Sequence, residues 1–270
     1  MELRDRIVVV TGAASGIGRA LARRVHAEGA RGVVVADLSP GAEDVAAELA
    51  AARPDSAVAC VADVGTAAGN DAIVTMAEDT FGPVDVFFAN AGVGVGTDPI
   101  ETPDDDWDLA FAVNIHAHVY AARRLLPGWL ERGEGYFCAT ASAAGLLTQI
   151  GSAPYTVTKH AAVAFAEWLA VTYGDRGVRV SCLCPMGVNT PMLHGETGVP
   201  NLASEIVRTA GEIREPDDVA GTVVEAMREE RFLILPHPEV RTFLLRKADD
   251  VDRWITGMRR LQARVGGGGD

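Results

Sequence analysis

The first residues combine a buried strand, a glycine-rich turn and an amphipathic helix, and this order restricts the fold more than any other part of the sequence. Residues 7–11 are a β-branched run typical of a central parallel strand, and apolar residues recur at helical spacing after position 16. The turn between them directs unpaired backbone N–H groups and the positive end of a helix dipole at one point, which suits a pyrophosphate. The unit therefore predicts a dinucleotide site in a parallel α/β sheet, with contacts from Gly12, Ser15, Gly16, Ile17 and Gly18.

Strand and helix patterns continue to alternate along the chain. Apolar runs predict further strands at residues 32–37, 58–64, 84–89, 135–141, 178–184 and 231–235. The economical fold is an α/β protein with one doubly wound (Rossmann) domain, a parallel sheet of about seven strands with helices on both faces. We expect this domain to span residues 1–239, followed by an amphipathic helical extension at 240–263 and a disordered tail at 264–270.

The second predicted strand ends in an acid, Asp37, nineteen residues after Gly18. A carboxylate at about this offset accepts hydrogen bonds from the hydroxyls of a ribose. A 2′-phosphate would be repelled by Asp37, and neither Ser15 nor Leu38 supplies the cation that it needs. The sequence therefore predicts NAD as the cofactor, with Asp37 and Leu38 in contact with it. The alternative is that Asp37 only caps the helix that begins near Ser39.

The third and fourth strands also end in residues that suit a ligand at this edge of the sheet. Asp63 lies where the edge of an adenine would reach in a doubly wound sheet, and a simple turn acid is the alternative. Asn90, Ala91 and Gly92 follow the fourth strand, and residues 93–96 are glycine-rich enough for a mobile loop beside a ligand.

A tyrosine, a lysine and an upstream serine form the candidate catalytic group. If residues 155–173 form a helix, Tyr155 and Lys159 lie one turn apart on the same face. A nearby ammonium favours the phenolate and would move the pKa of Tyr155 from about 10 towards neutral pH. Ser142 follows a buried strand, where its hydroxyl could hold a carbonyl oxygen. The pattern predicts proton transfer by Tyr155. The alternative is that Tyr155 and Lys159 form an ordinary i,i+4 contact on the surface of a helix, with no catalytic role.

The acidic segment at residues 101–108 predicts the start of a helix rather than a recognition patch. Thr102 can cap the helix, Pro103 suits its first turn, and the carboxylates meet the positive end of the dipole. The helix is expected to run to about Leu126 with Asn114 in its middle. Because asparagine is a poor residue for a helix interior, Asn114 is a candidate functional residue.

Composition and charge exclude several classes of function. With 24 basic and 37 acidic residues, the formal net charge is −13, which disfavours nucleic acid and anionic membranes as partners. The four cysteines fall in predicted buried strands and do not follow zinc spacing, so we expect reduced core thiols and no metal. No signal-like or membrane-spanning run begins the chain, and a cytoplasmic protein is expected.

With these motifs in place, residues 5–235 resemble the short-chain dehydrogenase/reductase family. Thr11-Gly-Ala-Ala-Ser-Gly-Ile-Gly18, Asp63-Val64, Asn90-Ala-Gly92, Asn114, Ser142 and Tyr155-x-x-x-Lys159 occur in the order that the family shows. The resemblance implies that Asp63 and Val64 contact the cofactor and that Pro185, Val188 and Thr190 lie at its nicotinamide end. It also implies a homodimer or homotetramer, with a dimer formed through the helices that carry Asn114 and Tyr155.

The family implies a role for each catalytic residue. Tyr155 would exchange the proton with the substrate oxygen, and Ser142 would hydrogen-bond that oxygen. Lys159 would lower the pKa of Tyr155 and bind the nicotinamide ribose, and Asn114 would hold a water that links Lys159 to solvent. Two departures stand out: Met186 follows Pro185 where the family usually has glycine, and Pro236-His-Pro-Glu239 replaces a Val-Asp-Gly-Gly stretch.

The sequence thus predicts an NAD-dependent oxidoreductase that interconverts a secondary alcohol and a ketone on a small, largely apolar substrate. Residues 191–213 lack clear periodicity and suit a flap over this substrate, or an ordinary surface loop. The expected pocket residues are Leu146, Leu147, Gln149, Met186, Met192 and Leu193. The alternatives are a steroid or other polycyclic hydroxyl dehydrogenase, a 3-oxoacyl thioester reductase, and a cofactor-binding sensor or scaffold without turnover.

Overall fold

In the computed structural model, which describes residues 1–194 and 202–266, seven strands form one sheet in the order β3-β2-β1-β4-β5-β6-β7. Every neighbouring pair is parallel. The predicted doubly wound α/β fold is therefore confirmed. The strands are β1 (Ile7–Thr11), β2 (Gly32–Asp37), β3 (Ala57–Val61), β4 (Val86–Ala89), β5 (Gly135–Thr140), β6 (Val178–Leu183) and β7 (Leu233–Ile234).

Helices cover both faces of this sheet. They are α1 (Gly16–Ala27), α2 (Gly41–Ala52), α3 (Ala67–Thr80), α4 (Asp104–Phe111), α5 (Ala117–Arg132), α6 (Ala153–Tyr173), α7 (Pro191–His194), α8 (Leu202–Ala210), α9 (Pro216–Arg228), α10 (Glu239–Asp249) and α11 (Val251–Gly266). Successive strand residues enter opposite cores: Val9 packs in the cluster that includes α3, α5 and α6, and Val10 in the cluster that includes α1, α2 and α9. This alternation is the period of a pleated strand buried on both faces.

The order of the strands creates a crevice where β1 lies beside β4. The chain turns outward in opposite directions from these two strands, which opens the carboxyl edge of the sheet between them. Three polar side chains join the strand ends at this point. Thr11 Oγ1 accepts hydrogen bonds from the backbone N–H groups of Asn90 and Ala91, and the Asn90 side chain bonds Thr11 O and Thr140 Oγ1.

The helix that carries Asn114 differs from its prediction in three respects. It begins at Asp104 with Pro103 at the cap position, because the Thr102 hydroxyl instead accepts a hydrogen bond from Thr97 N. It continues to Arg132 rather than ending near Leu126. Between α4 and α5, Ala112–His116 form a π-helical turn centred on Asn114, a local widening that often marks functional sites.

The predicted flap and tail contain more helix than the sequence indicated. Residues 191–213 include α7 and α8, although residues 195–201 of the predicted flap lie outside the described part. The extension after β7 forms two helices, α10 and α11, that meet at Asp250. The prediction of a disordered tail from residue 264 is wrong for residues 264–266, which belong to α11. Residues 267–270 lie outside the described part of the chain. The last strand is also shorter than the predicted 231–235.

Membrane-spanning helices and clusters of metal ligands are both absent from the described residues. No helix within residues 1–194 and 202–266 combines the length and the apolarity that crossing a bilayer requires. The same ranges contain no group of three or more His, Cys, Asp or Glu side chains placed to hold a metal ion. Each of the four cysteines is free and buried.

A histidine of α5, His118, is buried in the core with both ring nitrogens lacking a hydrogen-bond partner among the described residues. Its ring packs edge-on against Phe137, with 6.2 Å between the ring centroids. Burial and the nearby Lys159 charge lower the pKa of His118 to about 3. The folded protein therefore holds a neutral imidazole that protonates readily once the chain unfolds.

Replacing His118 by leucine is expected to reduce the sensitivity of the protein to acid. Because the folded pKa lies below the unfolded value of about 6.5, the free energy of unfolding falls as the pH drops below about 6.5. At pH 5 this contribution amounts to about 2 kcal/mol relative to pH 8. The free energy of unfolding of His118→Leu minus that of the parent should therefore increase by about 2 kcal/mol between pH 8 and pH 5, as measured by urea unfolding. Parallel curves for parent and variant would contradict the buried neutral imidazole.

Candidate active site

A cavity of about 1390 Å³ occupies the crevice at the carboxyl edge of the sheet. Its lining contains every residue predicted to contact the cofactor: Gly12, Ser15, Gly16, Ile17, Gly18, Asp37, Leu38, Asp63, Val64, Asn90, Ala91, Gly92, Tyr155, Lys159, Pro185, Val188 and Thr190. It also contains Ser142 and four of the predicted pocket residues, Gln149, Met186, Met192 and Leu193. The fold thus brings two groups that are far apart in sequence into one space.

The glycine-rich turn between β1 and α1 leaves room for a phosphate group in this cavity. Gly12 has a φ of 64°, which a residue with a side chain rarely adopts. A Cβ added to Gly18 would lie 2.0 Å from Gly12 O, so α1 can begin this close to β1 only with glycine there. The cap residue Ser15 forms no side-chain bond to the first turn of α1. The end of the helix therefore suits an anionic ligand such as a dinucleotide pyrophosphate.

Asp37 stands at the end of β2 and is held by two backbone donors. Its Oδ2 accepts a hydrogen bond from Ala14 N, and its Oδ1 accepts one from Ser39 N, each at 2.9 Å. The alternative, that Asp37 caps the next helix, is wrong, because the cap position of α2 is Pro40 and has no side-chain hydrogen bond. A carboxylate has about four acceptor positions, so both oxygens retain capacity for ligand hydroxyls in the cavity.

Ser142, Tyr155 and Lys159 meet on the opposite wall. Ser142 follows β5, and its hydroxyl accepts a hydrogen bond from Ala144 N at 3.1 Å. Lys159 Nζ lies 5.6 Å from the centroid of the Tyr155 ring and donates to Thr140 O at 3.0 Å. Because α6 carries Tyr155 and Lys159 one turn apart, both side chains project into the cavity beside Ser142.

Burial dominates the protonation of this group. It raises the pKa of Tyr155, and the Ser142 hydrogen bond acts in the opposite direction. Burial also lowers the pKa of Lys159 to about 8. The prediction that the ammonium brings the pKa of Tyr155 below its usual value is therefore wrong for the isolated chain, because burial raises this pKa.

Asn114 does not line the cavity but fixes the loop at its edge. Its Oδ1 accepts a hydrogen bond from Val93 N at 2.9 Å, and its Nδ2 donates to Val93 O at 3.0 Å and to Thr158 Oγ1 at 3.1 Å. A Cβ on Gly92 would lie 3.2 Å from both Asn114 Oδ1 and Lys159 Nζ. The residues after β4 are thus held against Lys159, and the loop predicted to be mobile is tied down at Val93.

Comparison with known proteins agrees with this geometry. The family model for short chain dehydrogenases matches residues 6–198. The chain belongs to the short-chain dehydrogenase/reductase family. It is 38% identical over 259 residues to 1-deoxy-11-beta-hydroxypentalenate dehydrogenase from Streptomyces exfoliatus, covering 95% of this chain and 92% of the relative. Meso-2,3-butanediol dehydrogenase from Serratia marcescens is 35% identical over 225 residues, covering 83% and 87% of the two chains.

A solved structure of the family superposes closely on this chain. A short-chain dehydrogenase/reductase from Burkholderia phymatum, determined in complex with NAD, gives a TM-score of 0.84 at 31% identity. The superposition covers 93% of this chain and 96% of the other. Members of the family bind a nicotinamide cofactor and act as oxidoreductases on hydroxyl or ketone substrates. The glycine turn, Asp37 and the strand ends described above fit such a dinucleotide.

Met186, which departs from the usual family glycine, is held by a histidine that the sequence alone did not single out. His237 is fully buried; its Nδ1 accepts a hydrogen bond from Met186 N at 3.1 Å, and its Nε2 lies 2.9 Å from Gly187 O. Gly187 O also accepts from Arg214 N at 2.9 Å. The turn that carries Pro185 and Val188 is therefore fixed from the segment after β7. The sequence signal was the unusual Pro-His-Pro at this point.

Two predicted pocket residues, Leu146 and Leu147, do not line the cavity. They pack in a small cluster with Val240, Phe243, Leu244 and Trp254. Lys247 Nζ donates to Leu146 O at 2.8 Å and to Leu147 O at 2.7 Å. The prediction is wrong for these two leucines because α10 covers them. The sequence showed the amphipathic tail but not where it docks.

Residues of α8, α10 and α11 line the cavity, whereas Leu146 and Leu147 do not. None of them was predicted as a site residue, although the helical spacing of apolar residues after position 250 was visible. Met192 of α7 lies over Gly94, whose added Cβ would be 3.8 Å from Met192 Cγ. The additional lining residues from these helices are Leu202, Ala203, Ser204, Val207, Lys247, Val251, Trp254, Ile255, Met258, Arg259 and Gln262.

Substitution of His237 is expected to weaken cofactor binding through the turn that it holds. Burial lowers the pKa of His237, so the ring is neutral near pH 7 and can accept from Met186 N while donating to Gly187 O. His237→Phe removes both bonds, and we expect NADH affinity to fall by about tenfold. His237→Gln, which can keep one bond, should lie between the two. Fluorescence titration with NADH measures the effect, and a lower melting temperature with unchanged affinity would contradict it.

Proposed function

We propose that this protein is an NAD-dependent oxidoreductase that interconverts a secondary alcohol and a ketone on a largely apolar substrate. The observation that carries the proposal is the convergence of Ser142, Tyr155 and Lys159 in a cavity that begins at a phosphate-binding turn. The rest of that cavity is walled largely by apolar side chains, including Met186, Met192 and Leu193. Such a chamber suits a substrate with few polar groups beyond the reacting oxygen.

The residues of this chain divide the proton chemistry among them. The nicotinamide, when bound, accepts or delivers the hydride, and the turn after β1, Asp37 and Pro185–Thr190 would hold the dinucleotide. The Tyr155 hydroxyl takes the proton from the alcohol or returns it to the ketone oxygen. Ser142 hydrogen-bonds the same oxygen and favours the charge that develops on it. Lys159 keeps a positive charge beside the phenol, and Asn114 positions the Gly92–Val93 backbone next to that charge.

The names of the relatives are consistent with chemistry at a ring or chain carbon that bears oxygen. They include a hydroxypentalenate dehydrogenase, a butanediol dehydrogenase and a levodione reductase from Leifsonia aquatica. We therefore favour oxidoreduction of a cyclic secondary alcohol or its ketone. The many apolar side chains in the cavity wall suit a polycyclic hydroxyl compound better than a short diol.

The cofactor that we propose is NAD rather than NADP. Asp37 presents its carboxylate at the ribose end of the cavity, where a 2′-phosphate would meet like charge. In the described part of the chain, no basic side chain from β1, α1, β2 or α2 lines the cavity. A 3-oxoacyl thioester reductase, which normally favours NADP, is disfavoured for the same reason. Cells hold an excess of the oxidised cofactor in the NAD pool, so we propose alcohol oxidation as the working direction.

We further propose a cytoplasmic homo-oligomer. The exposed face of α6 carries apolar side chains, with Val157, Trp168 and Val171 at 45%, 54% and 87% exposure. A surface of this kind on a helix beside the site suits a contact with a second copy of the chain. The four free cysteines suit a reducing compartment.

Tyr155→Phe tests the proposed chemistry against a cofactor sensor without turnover. The parent is expected to reduce or oxidise members of a cyclic alcohol and ketone panel, followed by NADH absorbance. The variant should lose about a hundredfold to ten-thousandfold in kcat, because it lacks the proton-transferring hydroxyl. It should bind NADH as the parent does. A parent that binds NADH but turns over no member of the panel would favour the sensor instead.

Asp37→Asn tests the choice of cofactor. The substitution keeps the shape of the side chain but removes its charge, so the preference for NAD over NADP in kcat/KM should fall by about tenfold to a hundredfold. Asp98→Asn, a control at a second carboxylate in the cavity wall, should leave the preference unchanged. A parent that prefers NADP would overturn the role of Asp37.

A further inference from the structure

Three basic side chains line the cavity within residues 1–194 and 202–266, namely Lys159, Lys247 and Arg259. Lys159 donates to Thr140 O, and Lys247 donates to the carbonyl oxygens of Leu146 and Leu147. Arg259 forms no hydrogen bond or ion pair with any described residue. It is therefore the cavity cation that remains available for a ligand.

The acidic side chains of the cavity, Asp37, Asp63 and Asp98, form no ion pair with Arg259. The carboxylate of Asp37 accepts from Ala14 N and Ser39 N, as described above. Asp63 accepts from Gly65 N, and Asp98 accepts from the backbone N–H groups of Ile100 and Glu101. Each of these carboxylates is bound to its own turn.

The position of Arg259 on α11 separates it from the other arginines of that helix. The cavity-facing residues follow helical spacing and form one stripe: Val251, Trp254, Ile255, Met258, Arg259 and Gln262. The stripe is apolar for its first four members and polar for its last two. Arg253, Arg260 and Arg264 lie off this stripe and do not line the cavity. Arg259 is exposed like these three arginines, and what distinguishes it from them is its place in the cavity lining.

The apolar part of the stripe separates Arg259 from Trp254. Trp254 packs in the same cluster as Met186, which follows Pro185 at the reacting end of the cavity. Arg259 lies five residues further along the helix, a rise of roughly 8 Å. A ligand that contacts both Trp254 and Arg259 therefore presents an apolar body of about the length of two fused rings to this part of the stripe.

We propose that the substrate carries a carboxylate at the end remote from its reacting carbon, and that Arg259 binds this carboxylate. The inference rests on the proposed alcohol–ketone function and adds the class of substrate, an apolar cyclic hydroxy or keto acid. The planar fork of a guanidinium matches the two oxygens of a carboxylate, which a neutral ester or amide cannot reproduce. Arg259 is then a specificity-determining residue that takes no part in proton or hydride transfer.

The test compares cyclic keto acids with their methyl esters. Cyclohexanone carboxylate, decalone carboxylate and a tetracyclic steroid keto acid, each paired with its ester, are reduced with NADH by the parent, Arg259→Gln and the matched control Arg260→Gln. For the two larger acids, we expect the parent to show a KM about fivefold below that of the ester. Arg259→Gln should raise the KM of the acids by about fivefold and leave kcat and the ester KM unchanged. Arg260→Gln should behave as the parent.

A binding measurement separates this inference from the proposed function. The fully saturated decalin carboxylate, which cannot react, is titrated calorimetrically into parent and variants in the presence of NADH. Weaker binding to Arg259→Gln alone would support the carboxylate site even if no ketone is turned over. Equal affinity of the parent for acid and ester, or equal binding by parent and Arg259→Gln, would overturn the carboxylate site whether or not the alcohol–ketone activity is found.

Discussion

A buried ammonium sets the geometry of this site. Lys159 is only 2% exposed, and the described structure offers it Thr140 O as a hydrogen-bond acceptor. Burying a charge is costly unless polar groups surround it, and that cost appears as a pKa lowered to about 8. The residue stays mainly protonated at neutral pH. Gly92 lies against Nζ, and a Cβ at this position would come within 3.2 Å of the ammonium. A residue without a side chain therefore suits this position.

The rest of the site holds backbone segments around that charge. The π-helical turn at Asn114 turns an amide towards Val93, which fixes the end of β4 next to Lys159. His237 fixes the turn after β6 in the same way, from the segment that follows β7. Both side chains use paired hydrogen bonds to one short stretch of backbone, so each restricts the backbone torsions between its two bonded atoms. Precision at the reacting end therefore comes from side chains that need not touch a substrate.

The sequence predicted the sheet, the turn after β1 and the candidate catalytic residues because each has a local pattern. A β-branched run, a glycine spacing and an i,i+4 pair all act over a few residues, and the topology then brings their ends together. The errors at Leu146 and Leu147 have a different origin. Whether an apolar residue after β5 faces ligand or protein depends on where α10 docks, and nothing within a few residues of Leu146 encodes that contact. The protonation of Tyr155 was misjudged for a related reason, since burial is a property of the assembled fold.

The tail shows how a common fold acquires its own substrate. In this chain the segment after β7 supplies His237, which holds the turn at Met186, and α11, which lines the far wall of the cavity. Met186 packs against the same small cluster as Phe243, Leu244 and Trp254. The departure at Met186 and the departure after β7 meet at one turn, because His237, which holds the Met186 backbone, directly precedes the helices that pack near its side chain. A variant that lost α10 and α11 would keep the sheet, the glycine turn and His237, yet it would lose the far wall of the chamber. One continuous stretch of chain after β7 therefore supplies both the histidine that holds the Met186 turn and the helices that line the far wall of the cavity.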